Sequence, residues 1–283
     1  MKGRQGASRD PAVTTSATRR RVLLLFLSLV FLATACATPY RAARPSVRPN
    51  PFNPVYTVAV LPMYNATNDV GGPREVRKGF HEMMQGRHYS VMPLEVVDQI
   101  LLEQMGITLG DQAELTTPEE IGRTLGVDAV VYGYLLYFDD ITTGVYNVKQ
   151  VKAGFKLVDA RTGATVWSKG LGVKSVIAGS AVGVGVTALK ELTASEKELI
   201  EAIEGARDIP GIEDWRYIRV LGTEKIEEAA VLSLGEMVFT KLLGVHLRPE
   251  TDAMLGGIVS TLPAGPGSSR LLRETPVEIP ERE

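Results

Sequence analysis

Residues 128–176 restrict the possible folds more than any other stretch of the chain. "DAVVYGYLLYF" (128–138) is an apolar run rich in β-branched and aromatic residues. Further on, Val151, Ala153, Phe155 and Leu157 alternate with Lys152, Gly154 and Lys156, the two-residue period of a strand with one buried and one wet face. "DARTG" (159–163) supplies a turn, shaped by Asp159 and Gly163, and "ATVWSKGLGVKSV" (164–176) returns as the hairpin partner, with Trp167 over the core. Three such strands in succession predict an antiparallel meander.

The residues ahead of it add helices. "TVAVLPM" (57–63) reads as a buried strand ended by proline. Pro73 opens a helix with Val76, Phe80 and Met84 on one face and Gly86 after it. "HYSVM" (88–92) reads as a second short strand, and residues 94–105 as a helix stopped at Gly106. In "TPEEIGRTLG" (117–126), Thr117 caps, Pro118 takes the first turn, Glu120 closes a capping box, and Gly126 takes the left-handed terminal conformation. The expectation is an α/β domain over 55–176: a mixed sheet with an antiparallel meander and packed helices on one side.

Past Val176 the pattern loosens. Residues 177–262 are expected to hold a glycine-rich connection, "IAGSAVGVGVTA" (177–188), and then helices that pack on the domain. Thr193 and Glu196 offer a capping box for a helix bearing Leu199, Ile200 and Ile203. In 224–243, Ile226, Ala230, Leu234, Val238 and Leu242 form a stripe suited to packing on the sheet. Residues 263–283 read as a disordered tail.

The amino-terminal end addresses the compartment. Val22 to Ala35 is an apolar run of 14 residues, short of the roughly 20 that a membrane-spanning helix needs. Lys2, Arg4, Arg9, Arg19, Arg20 and Arg21 precede it against a single acid, Asp10, which is the layout of a secretory signal. Ala33-Thr34-Ala35-Cys36 resembles the lipobox of bacterial lipoproteins, although leucine is commoner where Ala33 stands. Residues 1–35 then form a lipoprotein signal peptide, and Cys36 is the lipidation site, carrying a covalent diacylglycerol and an N-acyl lipid such as palmitate. An ordinary signal peptide that leaves a stray cysteine is the plainer alternative. One acyl chain, at about 0.8 kcal/mol per buried methylene, anchors only marginally, so several chains on one cysteine suit a stable lipid anchor. Arg19-Arg20-Arg21 fits both a twin-arginine signal and an ordinary basic n-region. Residues 36–54, the cysteine with "ATPYRAARPSVRPNPFNP" (37–54), read as a proline- and arginine-rich tether.

Removing residues 1–35 takes away six basic side chains and one acidic one, leaving 25 against 32, a net charge of −7. That balance argues against a nucleic-acid partner. With Cys36 as the sole cysteine, stability must come from a hydrophobic core.

No catalytic, cofactor-binding or metal-binding residue is predicted. His81, His88 and His246 have no metal-ligand spacing, and HExxH, CxxC and GxSxG are absent. Asp139-Asp140 reads as a solvated strand end. In "GSAVGVGVTALK" (179–190), Gly179, Gly183 and Gly185 loosely suggest a phosphate loop, but Lys190 falls too far past them. Val182, Val184 and Val186 alternate with glycine as a lipid-facing strand would, yet one such segment cannot satisfy its own backbone in a membrane.

"VAVLPMYNATND" (58–69), "EEIGRTLGVDAVVYGYL" (119–135) and "FKLVDARTGATVWSKG" (155–170), in that order, resemble a family of bacterial lipoproteins of unknown function. It is related to the group that holds the curli-secretion lipoprotein CsgG and the amino-terminal domain of TolB. The similarity covers about residues 57–176, with a weaker echo in 224–262, and 187–222 reads as an insertion. The resemblance implies a TolB amino-terminal-domain-like fold and a periplasm-facing envelope protein that acts through protein contacts, with no active site to transfer. The expected function is a lipid-anchored, non-enzymatic adaptor in a secretion, transport or cell-wall assembly complex, at the outer membrane, with an unidentified envelope protein as partner. A homo-oligomeric CsgG-like channel built with 177–188 is one alternative. A small-ligand binder or enzyme that depends on Asp139, Asp140 or His88 is the other.

Overall fold

The computed structural model describes residues 47–142, 146–179, 196–223, 227–228, 230–232, 234–235 and 247–267. Along the chain they form β1 (Thr57–Val60), β2 (Tyr64–Asn65), α1 (Gly72–Gln85), β3 (Ser90–Val91), α2 (Leu94–Met105), α3 (Gly110–Glu114) and α4 (Pro118–Leu125). Then come β4 (Ala129–Thr142), β5 (Tyr146–Asp159), β6 (Thr165–Gly179), α5 (Glu204–Arg207), β7 (Trp215–Thr223) and α6 (Arg248–Ser260). The strands make one mixed sheet in the order β3-β1-β4-β5-β6-β7, with β2 beside the outer part of β4. β4, β5 and β6 are the expected antiparallel meander, while β1, β2, β3 and β7 join it in parallel.

The parallel pairing of β1 and β4 is fixed in register by Asp128. Its Oδ2 accepts hydrogen bonds from the amides of Tyr56 (3.0 Å) and Thr57 (2.8 Å) and from the Thr57 hydroxyl (3.0 Å). The Asp128 amide in turn donates to the Thr57 carbonyl. Asp128 can sit there because α4 stops one turn earlier: Gly126 is left-handed, at φ 68°, and lets the chain enter the sheet directly. Thr117 caps that helix by accepting from the Glu120 amide, as its sequence predicts.

Helices cover both faces of the sheet, which corrects the expectation of helices on one side. Val58, Val60, Val131, Val151 and Phe155 point to one face, where α1 and α6 supply Val76, Phe80, Met84, Met254, Leu255 and Ile258. Phe80 stacks on Phe155 with ring centroids 4.0 Å apart, and Trp167 packs at the rim of this layer. Ala59, Leu61, Val130, Tyr132 and Leu136 point to the other face, against Val97 and Leu101 of α2 and Ile121 and Leu125 of α4. The physical reason is visible in β4, which is apolar at successive positions and not at alternate ones. A strand of that kind needs cover on both sides.

The lysine side of β5 is likewise not wet. Residues 196–202 are helical and, with α5 and the turns after it, place Ile200, Ile203, Ala206, Ile209 and Ile212 over that face. Parallel pairing of β7 to β6 requires a crossover, and residues 196–212 are its described part. The roof comes close because the strands beneath carry glycine: a Cβ on Gly154 would lie 2.6 Å from Ile212 Cδ1, and one on Gly170 2.6 Å from Ile212 Cα.

Both ends of the described chain meet at the turn after α1. Asn53 Nδ2 donates to the Tyr89 hydroxyl and the Ala264 carbonyl, and Asn50 pairs with Gly265 through the backbone. Gly265 and Gly267 donate to the carbonyls of Arg87 and His88. The tail expected to be disordered from 263 is therefore held through residue 267, and the tether expected over 36–54 is docked along 50–53. Both gain backbone partners that composition does not reveal. In 224–243, Leu234, expected to face the sheet, is exposed; Ile226, Val238 and Leu242 lie outside the described residues.

Replacing Asp128 with alanine leaves the amides of Tyr56 and Thr57 without their acceptor. The expected cost is about 1–3 kcal/mol, read as a lower urea midpoint with an unchanged slope.

Candidate functional site

Among the described residues, the sheet has one long edge without a further strand, that of β7. β7 is the last strand of the order, and beyond its outer side no described strand pairs with it. Tyr217 is 51% exposed and Val220 65%, and Ile218 and Leu221 are exposed as well. Register with β6 shifts between Lys174 and Ser175, so Ile218 has no partner in the ladder. Tyr217 and Val220 lie opposite Lys174 and Val176, on the roofed face, while Arg216, Arg219 and Leu221 lie opposite Val173, Ser175 and Ile177, on the α1 face. Arg219 shares a small cavity there with Asn147, Lys149, Ser175 and Ile177.

A buried polar cluster fixes this strand to the sheet. Lys152 is fully buried, and its ammonium donates to Glu196 Oε1 in an ion pair. Trp215, at the start of β7, donates its indole N–H to the same carboxylate (2.9 Å to Oε2). The Lys152 and Lys174 ammoniums lie 4.1 and 3.7 Å from the centroid of the Trp215 ring, within range of a cation–π interaction. Tyr137 meets the ring edge-on at 5.7 Å. Burial pushes both lysines below the ordinary range, against the pull of Glu196, and Lys152 adds to the downward push on Lys174. Backbone bonds from Gly170 to the Pro210 carbonyl and from Gly172 to the Asp214 carbonyl hold the lead-in to β7 along β6.

None of the residues weighed from the sequence for catalysis or metal binding joins this cluster. His81 contacts the Met92 carbonyl through Nε2 at 3.1 Å. His88, at φ 68°, contacts the Val47 carbonyl through Nε2. Asp139 accepts from Gln150 at 3.4 Å and Asp140 from Thr142 at 3.3 Å. Cys36, His246, residues 180–195 with Lys190, and the Thr193 member of the expected capping box lie outside the described residues. Glu196, the other member of that box, is the buried partner of Lys152. Among the described residues, no group of three or more His, Cys, Asp or Glu side chains is placed to hold a metal, and no helix is long and apolar enough to cross a membrane. The signal that could have found the cluster was a tryptophan, Trp215, in a segment without a visible pattern.

Removing Glu196 alone strands a buried ammonium. Glu196→Ala is expected to cost about 3–5 kcal/mol and to change Trp215 fluorescence. The double variant Lys152→Met, Glu196→Leu should keep more stability than the single one, as denaturant midpoints will show.

The same face gives an alkaline signature. Burial first, and then Glu114, push the Tyr132 and Tyr134 phenols far above the ordinary tyrosine value of 10.0; Tyr134 donates to Glu114 at 2.5 Å. A raised folded-state value adds stability that is complete below the unfolded value and is lost as pH climbs through the folded one. In an absorbance titration these two phenols should stay protonated above pH 10 until the circular dichroism collapses. Ionisation near pH 10 in an intact fold would contradict the burial.

Comparison with known proteins places the chain. Residues 52–218, more than half of it, match the family model described as "Putative lipoprotein GNA1162-like". Most of the stretch read as an insertion, 187–222, falls inside the matched span. A curated relative from Neisseria meningitidis serogroup B (strain ATCC BAA-335 / MC58), "Putative lipoprotein NMB1124/NMB1162", is 26% identical over 155 residues, covering 52% of this chain and 67% of its own length. The crystal structure of lipoprotein GNA1162 from Neisseria meningitidis overlaps with a TM-score of 0.40 at 25% identity, covering 50% of this chain and 99% of its own. A PelC dodecamer from Paraburkholderia phytofirmans overlaps with a TM-score of 0.29 at 17% identity, covering 43% and 73%. The three stretches that carry the resemblance, 58–69, 119–135 and 155–170, all lie within 52–218, and the chain belongs to the GNA1162-like lipoprotein family.

Proposed function

We propose that this lipoprotein is a non-enzymatic adaptor, lipidated at Cys36 and facing the periplasm from the outer membrane. Its β7 edge holds another envelope protein in a secretion, transport or cell-wall assembly complex. The observation that carries the proposal is that edge: nine residues long, with Tyr217, Ile218, Val220 and Leu221 exposed. Long edges invite pairing and are commonly blunted by charge, bulges, proline or cover; β7 carries Arg216, Arg219 and one register shift but no proline, and no described strand lies beyond it. One that is kept open suits a strand-recognition surface.

The position of the edge agrees with an anchor at the other end. Val47, the first described residue, contacts His88, two residues before β3 starts opposite Thr57. Ten residues lie between Cys36 and Val47, a reach of at most about 40 Å. β7 runs beside the far half of β6, from Gly172 to Gly179. A 14-residue strand such as β4 spans roughly 45 Å. Lipid at Cys36 would therefore attach the chain through its β1–β3 end, whereas β7 lies beside the far half of β6.

A photocrosslinking side chain at position 217, with position 166 as an exposed control, tests the adaptor in cells. Position 217 should capture an envelope protein when Cys36 is present, and Cys36→Ala should release the protein from membranes and abolish the capture. A Cys36→Ala protein that stays membrane-bound and fully active, or capture from position 166 alone, would refute it.

A further inference from the structure

With Cys36 taken as the lipid anchor, as proposed above, we infer that residues 263–267 are a strap that sets the length of the tether. Closed, the strap holds residues 47–53 against the domain. Open, it releases them and lets the domain stand further from the membrane.

Two segments meet at this end of the molecule, and each is rooted in the core at its inner end. Val55 and Leu262 belong to the buried cluster under α1 and α6, and the amides of Tyr56 and Thr57 are held by Asp128. Outward from Val55 the burial stops: residues 48–52 and Pro54 are exposed. Segments with few buried apolar contacts open before the core does.

The contacts have an order. The strap lies on the domain: Gly265 and Gly267 donate to the carbonyls of Arg87 (2.7 Å) and His88 (3.1 Å), and the Tyr89 hydroxyl donates to the Pro263 carbonyl (3.0 Å). Arg87 donates to the Leu262 carbonyl, and Gly265 and Pro266 are buried. The tether lies on the strap: the Asn50 amide donates to the Gly265 carbonyl (2.9 Å) and Asn53 Nδ2 to the Ala264 carbonyl (2.9 Å). Asn53 Nδ2 also reaches the Tyr89 hydroxyl, and the Val47 carbonyl reaches His88. Both of these land on residues that the strap braces. Opening the strap therefore takes acceptors from the tether, whereas a lifted tether leaves the strap its own bonds to residues 87–89.

The change in length is large. Ten residues lie between Cys36 and Val47, and eighteen between Cys36 and Val55. The maximum reach grows from about 40 Å to about 65 Å. Gly265 is where the strap can be prised off. A Cβ there would lie 2.5 Å from the His88 carbonyl oxygen and 2.9 Å from the Tyr89 amide nitrogen, both backbone atoms.

Residue-resolved amide exchange on the purified protein tests the order of contacts. In Gly265→Ala the amides at 50, 265 and 267 should exchange about tenfold faster, the loss of one net hydrogen bond each, with β4 and β5 unchanged. A chain ended at Leu262 should free position 50 in the same way without a wedge. In Asn53→Ala, positions 265 and 267 should exchange as in the parent. An amide at 50 that stays protected in Gly265→Ala or in the shortened chain overturns the inference. So does loss of protection at 265 and 267 in Asn53→Ala, which would make the tether the brace of the strap. Length is read on vesicles of phosphatidylethanolamine and phosphatidylglycerol, by energy transfer from a dye on Val166→Cys to acceptor-labelled headgroups. Transfer should fall in Gly265→Ala, and equal transfer with and without that change would refute the control of length. Vesicle binding that survives Cys36→Ala would sink the anchor and leave the strap to the exchange result.

Discussion

Glu196 makes tolerable a burial that would otherwise be prohibitive. The strand period puts Lys152 on the sheet face that residues 196–212 cover, and an unpaired ammonium there would carry the desolvation cost of a buried charge. The Glu196 carboxylate meets Lys152 and Trp215 together, and the Trp215 ring faces the ammoniums of Lys152 and Lys174. Two consequences follow from this one cluster. The roof stays down on the sheet through Ile200, Ile209 and Ile212, and β7, which begins at Trp215, is delivered to the edge of β6. Everything that makes β7 available as a surface depends on that placement.

The clasp at the opposite end is of a different kind. There the chain uses backbone donors and acceptors from residues 47–57, 87–90 and 263–267, with Asn53 and Asp128 as side-chain ties. Such contacts fix where the tether enters without adding much apolar area. The result is a domain with a polarity: a hydrogen-bonded clasp around residues 50–53 and 263–267, and an exposed strand at the far half of the sheet. The adaptor proposed above would use that separation.

Much of this was legible from the residues. The three strands of the meander, the caps at Thr117 and Gly126, and the α1 face of Val76, Phe80 and Met84 each follow from local chemistry that has one solution. The roof was legible only in part: the capping box at Thr193 and Glu196 points to a helix with Leu199, Ile200 and Ile203, whereas Ile209 and Ile212 lie in turns and follow no period. The alternation in β5 was read correctly as a strand and wrongly as half wet, since a lysine on a strand signals water unless its counter-ion is known. That counter-ion, Glu196, is 44 residues away. β7 was missed for a related reason: "WRYIRVLGT" becomes a strand only because β6 offers an edge and the crossover brings it there. The family resemblance was carried by folding signals, whereas the exposed edge carries none.

As proposed above, β7 is an open strand in the isolated protein and an occupied one in the envelope. Residue-resolved amide hydrogen exchange, on purified protein and on the same protein in native membranes, tests it most directly. In the purified form, the β7 amides directed at β6 should be protected and those directed outward should exchange rapidly; in membranes the outward set should become protected too, with the clasp unchanged. Outward amides that exchange equally fast in both settings would contradict the claim.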